Sequence, residues 1–343
     1  MRYHPLAKHT AIALLVPLLA LSTGCSMFRP SDQAVIAQAQ QVHGEIQPAV
    51  IQDAEVQRYM DDIGGRIIKG AQAFIKEKPD DKHNQADNSW LERGNIKFHL
   101  VNSKTLNAFT TGGQHVYIYN ELLQQAKSED ELAAVMAHEF AHIYCRHVAS
   151  GMTRQAEGAA LGAVGALAGA AVGKDTGAAI GGGLAGTAAQ FLNMGFTRGD
   201  EDEADKYGFS FYLRAGWDPN HFADFFQRMI DLGYDKTPEL ASDHPKLSNR
   251  VANTERRIQQ IDPRAQQDRL KRPIASPDQF RQIQQRAVAA SRNTPDDKSL
   301  AAAQLMLAAF PSCVAPEDNQ PEQRRAKATL LGEAERQEQR GGR

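Results

Sequence analysis

The 343-residue sequence predicts a mainly α-helical fold with a small β-sheet, an α+β arrangement. Three observations carry this. Long stretches place apolar residues at helical spacing, whereas Ile96 to Val101 and His115 to Tyr119 alternate apolar and polar side chains as strands do. Ser128-Glu129-Asp130-Glu131 is an acidic, cap-like start, and Leu132, Val135 and Met136 continue from it with helical periodicity. With 42% hydrophobic residues, a chain of this length can bury a sizeable core.

In order along the chain, residues 1–24 read as a signal segment. Arg2 and Lys8 form a basic start, Ala11 to Leu21 an apolar run, and Leu21-Ser22-Thr23-Gly24-Cys25 a small-residue processing site. The run falls short of the about 20 residues needed to span a bilayer. A short uncleaved anchor is the alternative. The site resembles a bacterial lipoprotein signal, which implies lipidation at Cys25, and Ser26 after it implies sorting to the outer membrane and a chain facing the periplasm. Removing Arg2 and Lys8 leaves 37 basic against 41 acidic residues, a balance of −4. Such a mild balance, without an aromatic-laced basic patch, argues against nucleic acid as a partner.

Residues 25–50 are expected to be a tether and an N-terminal helix. Ser31 to Phe74 reads as amphipathic helix, broken near Gly44–Pro48 and again at Gly64-Gly65. Lys76 to Asn95 is polar and reads as a surface loop, and Gly112-Gly113 makes the turn into the second strand.

His138-Glu139-Phe140-Ala141-His142 then puts two imidazoles and a carboxylate on about one helical turn. Residues four apart lie about 40° from each other around a helix, so both histidines project side by side and can bind one Zn²⁺. Glu139 sits close enough to handle a water at that ion. A tetrahedral catalytic site needs a third protein ligand and one open position. In Thr197-Arg198-Gly199-Asp200-Glu201-Asp202-Glu203-Ala204-Asp205, Glu201 and Asp205 share a helix face while Glu203 points almost the opposite way. Glu201 is therefore the expected third ligand, and Asp205 the acceptor that fixes a ligand imidazole's tautomer.

These residues, followed by "AGWDP" and "SDHPKLSNR" and preceded by "NAFTTGGQHVYIYNELL", resemble in their order the CAAX prenyl protease-like family of zinc endopeptidases, from roughly Ile51 to Ile261. The resemblance implies a gluzincin-type metallopeptidase domain at 51–262, with His138, His142 and Glu201 as ligands to one zinc per chain and Glu139 as the catalytic carboxylate. It also implies that His115 to Tyr119 lies as an edge strand along the cleft, where an extended substrate adds to it by main-chain hydrogen bonds. His244 is placed near the zinc, either polarising a substrate carbonyl or occupying the open position. Arg250 fixes that loop or contacts substrate, and Asn107 is a candidate contact to substrate backbone.

A Gly/Ala-rich insert at 157–190 has glycines four apart, a small-xxx-small pattern that allows close helix contact. A helical hairpin is the leading reading, with a flap over the cleft or a membrane-surface segment as alternatives. Cys145 reads as a small buried core residue, although an oxidising compartment permits a bridge to Cys313. Residues 263–343 read as a helical, partly disordered appendage.

The expectation is a zinc metalloendopeptidase, lipid-anchored in the periplasm, degrading misfolded or stalled envelope proteins and associated with outer-membrane assembly machinery. The competing readings are a protein-binding, chaperone-like assembly factor with little turnover, and a cell-wall amidase.

Overall fold

The computed structural model describes residues 29–92, 96–170, 191, 194–236, 246–262, 274–293, 298–312 and 321–341. Cys25, His244, Cys313 and residues 171–190 of the insert lie outside them.

Helix α1 (Asp32–Ile46) starts at Ser31, whose hydroxyl accepts from the Ala34 N–H at 3.2 Å. Helix α2 (Ala54–Glu77) is capped by Asp53 and buries Val56, Met60, Ile63, Ile67, Ala71 and Phe74, an apolar stripe at helical spacing. The break expected at Gly64-Gly65 does not occur. A Cβ on Gly64 would lie 2.2 Å from the Phe98 ring, so this glycine lets a strand lie close against an unbroken helix. The polar stretch after α2 is fastened rather than loose. It contains a short helix α3 (Ser89–Glu92) with Trp90 and Leu91 buried, and it is held by Tyr207 to Asp81 and Tyr144 to Asn84, both at 2.7 Å.

Strands β1 (Lys97–Val101), β2 (Ala108–Thr110) and β3 (His115–Tyr119) form one sheet in the order β1-β3-β2. β3 pairs in parallel with β1 and antiparallel with β2, so it is central and hydrogen-bonded on both sides. This corrects the edge role expected for His115 to Tyr119. Among the described residues the open edge beside the helix that carries His138 and His142 belongs to β2.

The sheet separates two cores. Phe98, Leu100, Ala108, Val116 and Ile118 face a large core shared with α2, α5 (Glu129–Tyr144) and α7 (Arg198–Ala215). Val101, Phe109, Tyr117 and Tyr119 face a second core closed by α1, the start of α6 (His147–Ala170), Phe191, Met194, Phe196 and α11 (Lys298–Ala309). Helices α4 (Asn120–Gln125), α8 (Asp224–Asp231) and α9 (Leu247–Gln259) complete the large core of the main body.

The C-terminal region packs onto that body. Helix α10 (Pro277–Ser291) opens on a Ser276/Gln279 capping box, and its Gln284 amide donates to the Leu123 and Ala126 carbonyls at the end of α4. Tyr119 donates to the Leu307 carbonyl at 2.6 Å, and Phe310 stacks on Phe109 with ring centroids 4.1 Å apart. The charged tail forms helix α12 (Pro321–Gly341), which packs on α11. Its Glu, Gln, Arg and Ala content favours helix, and Pro321 suits a first turn. Among the described residues no helix is long and apolar enough to cross a membrane.

Candidate metal centre

Ser128 caps α5 by accepting from the Glu131 N–H at 3.3 Å, and α5 is buried along its whole length. Its buried N-terminal carboxylate Glu129 accepts from Tyr59, Arg66, Trp217 and the Ala275 N–H, so the charge taken from water is fully hydrogen-bonded. Helix α7 begins at Thr197 with a capping box closed by Asp200. Gly208 lets α7 approach α5, since a Cβ there would lie 3.0 Å from the His138 Cα. Without that approach Glu201 and Asp205 could not reach the histidines.

His138, His142 and Glu201 are fully buried and converge. The two Nε2 atoms lie 3.0 Å apart, and the Glu201 oxygens stand 3.4 Å from His138 Nε2 and 3.6 Å from His142 Nε2. Ligands about 2.0–2.1 Å from a shared tetrahedral ion are separated by about 3.3 Å, so the spacing fits a metal. Glu139, fully buried, follows His138 on the same helix turn.

The outer nitrogens explain why the inner ones face each other. His138 Nδ1 donates to Asp205 Oδ1 at 2.9 Å. Arg250 grips that carboxylate with two bonds, Nε to Oδ2 at 2.8 Å and Nη2 to Oδ1 at 2.7 Å. On the other ring, His142 Nδ1 lies 2.9 Å from His147 Nδ1, and His147 Nε2 donates to Glu203 at 3.1 Å. A His147 ring that donates from Nε2 to Glu203 can accept from His142 Nδ1, which leaves the Nε2 atoms of His138 and His142 facing each other. The two Nε2 atoms, 3.0 Å apart, are placed to share a metal ion or a proton. Burial and the Arg250 charge push the His138 pKa down, but its bonds to Asp205 and Glu201 lift it to about 9. Asp205 is driven up by burial yet held well below the usual carboxylate range by Arg250 and His138. Glu203 is likewise held low, against burial, by hydrogen bonds from His147, His83 and Lys82. Phe196 stacks on His142 with centroids 3.9 Å apart, and Phe226 lies 3.9 Å under the Arg250 guanidinium.

The structure therefore brings together His138, Glu139, His142, Glu201, Asp205 and Arg250. Arg250 is buried and committed to Asp205. Asn107 is also buried, and its amide donates to the Phe310 and Pro311 carbonyls at 3.3 and 3.2 Å, holding the C-terminal segment. Cys145 is buried in the main core. Sequence reasoning missed the roles of His147 and Glu203. His147 follows Arg146, whose positive φ of 59° ends α5, so helical spacing does not place it beside His142.

A family model described as peptidase family M48 matches residues 83–258, just over half of the chain. The chain belongs to peptidase family M48. That stretch holds the whole His-His-Glu group that could take a metal. Among similar proteins, the β-barrel assembly-enhancing protease of Yersinia pestis is 31% identical over 218 residues, 62% of this chain and 41% of its own. The protein of that name from Escherichia coli K12 is 34% identical over 172 residues, 48% of this chain and 35% of its own. The mitochondrial metalloendopeptidase OMA1 of Arabidopsis thaliana is 28% identical over 230 residues, 67% of this chain and 43% of its own. The M48 chain thus spans about two fifths of the length of these relatives.

Proposed function

We propose that this M48 chain is a zinc-dependent endopeptidase of the bacterial envelope, hydrolysing peptide bonds of misfolded or stalled envelope proteins. One observation carries the reading: His138 Nε2, His142 Nε2 and the Glu201 carboxylate converge on one buried point on the helix that bears Glu139. Two imidazoles and one carboxylate are the donor set of a catalytic zinc that keeps a position open. The finer motif order, which resembles CAAX prenyl protease-like members, supports peptide-bond chemistry. The names of the bacterial relatives support substrates or partners in outer-membrane barrel assembly.

When bound, zinc lowers the pKa of a water toward about 7 and acts as a Lewis acid toward the scissile carbonyl. Glu139 would take the proton of an attacking water and deliver it to the amide nitrogen as the C–N bond breaks. Asp205, held by Arg250, and His147, held by Glu203, fix both ligand rings in the tautomer that points Nε2 inward. The motif order supports His244 as the group that polarises the same carbonyl or occupies the open position, and the lipoprotein-like signal supports Cys25 as a lipid anchor to the outer membrane.

Glu139→Gln tests this directly. The variant should retain one zinc while losing cleavage of an unfolded outer-membrane protein, because the ligands remain and the proton acceptor is gone. Undiminished cleavage would refute the assignment. Full complementation of an envelope defect by Glu139→Gln would favour the protein-binding role.

A further inference from the structure

On the far face of the sheet from the large core, three histidines distant in sequence meet. His99 on β1 and His115 at the start of β3 are diagonal neighbours, because the parallel register pairs His99 with Tyr117 and His115 with Lys97. α1 lays His43 over both. His43 stacks on His115 with centroids 4.2 Å apart and on His99 at 4.6 Å. His99 Nε2 lies 2.9 Å from His115 Nδ1, and ligand atoms of all three rings lie within 4.8 Å of one another. We propose that His43, His99 and His115 form a second metal site, for a zinc-class divalent transition ion, which clamps α1 to the sheet.

The hydrogen bonds around the rings are neutral and leave nitrogen lone pairs available. Gln40 Oε1 accepts from His115 Nε2 at 3.1 Å, so the neutral ring presents an Nδ1 lone pair to His99. His43 Nδ1 bonds the Tyr117 hydroxyl at 3.0 Å. Burial lowers all three pKa values, helped by repulsion from His43 for His115 and from His43, His115 and Lys97 for His99, which fall to about 4 and about 3 respectively. Protons therefore do not compete for these nitrogens near neutral pH.

Three imidazoles with no carboxylate or thiolate in the set suit zinc, copper or nickel and disfavour calcium or magnesium. An ion enters where His99 Nε2–H now points at His115 Nδ1. The His99 proton moves to its own Nδ1, so a neutral ring stays neutral and no proton is released. The 2.9 Å separation then opens to the about 3.3 Å of ligands on one tetrahedral ion. His43 and His115 are parallel to within 8°, so His43 turns about χ2 to aim its lone pair. His43 and His99 are only partly buried, which leaves a route for the ion and for a fourth, water ligand.

The test counts zinc in the full chain by mass spectrometry after equilibration with buffered zinc, and follows melting in parallel. Wild type should hold two equivalents, and His99→Gln one, with affinity at that site reduced at least about 100-fold. His138→Ala/His142→Ala should also hold one, and zinc should raise its melting temperature. Adding His99→Gln to that pair should abolish both the last equivalent and the rise. His43→Gln, on a partly exposed helix position, repeats the test should His99→Gln misfold. The proposal is overturned if the His138/His142 variant holds no zinc, if its melting ignores zinc, or if neither His99→Gln nor His43→Gln changes the count. The peptidase reading fails separately, through an unchanged count in the His138/His142 variant.

Discussion

His142 Nδ1 lies 2.9 Å from His147 Nδ1, so a histidine outside the HExxH motif holds the His142 ring in place. Removing His147 frees the His142 ring to rotate and to change tautomer. His147→Ala should weaken metal affinity by about 10–100-fold without unfolding the chain. Competition against a graded series of chelators reads this directly.

Arg250 and Asp205 form a buried bidentate pair, each almost wholly shielded from water. Arg250→Ala leaves the Asp205 charge without its main counter-charge, and breaking such a pair from one side costs about 3–5 kcal/mol. Urea unfolding of the metal-stripped protein should register that loss. Arg250→Lys should recover only part of it, because an ammonium cannot reproduce the fork.

Gly208→Ala inserts a methyl group 3.0 Å from the His138 backbone. Neither helix can yield by turning a side chain, so α5 and α7 must separate. The expected effect is about 1–3 kcal/mol of destabilisation together with reduced metal occupancy, since Glu201 and Asp205 move away from the rings. Thermal melting and metal analysis on one preparation check both.

Acid should loosen the outer layer of the sheet. Burial and the neighbouring His43 hold His115 at about 4, and the same causes with His115 and Lys97 added hold His99 at about 3, against an ordinary 6.5. Tyr117 and Gln40, the other groups bonded to the cluster, are uncharged there. Below about pH 6.5 the unfolded chain binds protons that the folded chain refuses, so stability falls as pH drops toward 4. Each pH unit in that interval removes up to about 1.4 kcal/mol per histidine. Denaturant midpoints of the metal-stripped protein between pH 7 and pH 4.5 should show the slope, and His99→Gln should flatten it.

How much of this was readable in the sequence depended on range. His138, Glu139 and His142 share one helix turn, and Glu201 and Asp205 another, so helical spacing placed each group on the correct face. The meeting of the two helices rests on Gly208, whose reason is invisible until α5 lies against it. β1 and β3 stood out through alternation, whereas β2 has only three residues, too few to make a pattern. Gly64 carried a breaker's signal but serves close approach to Phe98. His43, His99 and His115 are joined only by strand register and by the crossing of α1, which local periodicity does not encode.

The outer face of the sheet is closed by α1 near one end of the chain and by α11 and Phe310 near the other. A polypeptide still being synthesised, with residues up to 262 already emerged, has His138, His142 and Glu201 in hand but lacks the Phe310 ring and the Leu307 carbonyl that meet Phe109 and Tyr119. Assembly of that layer therefore waits for residues 298–310 to arrive.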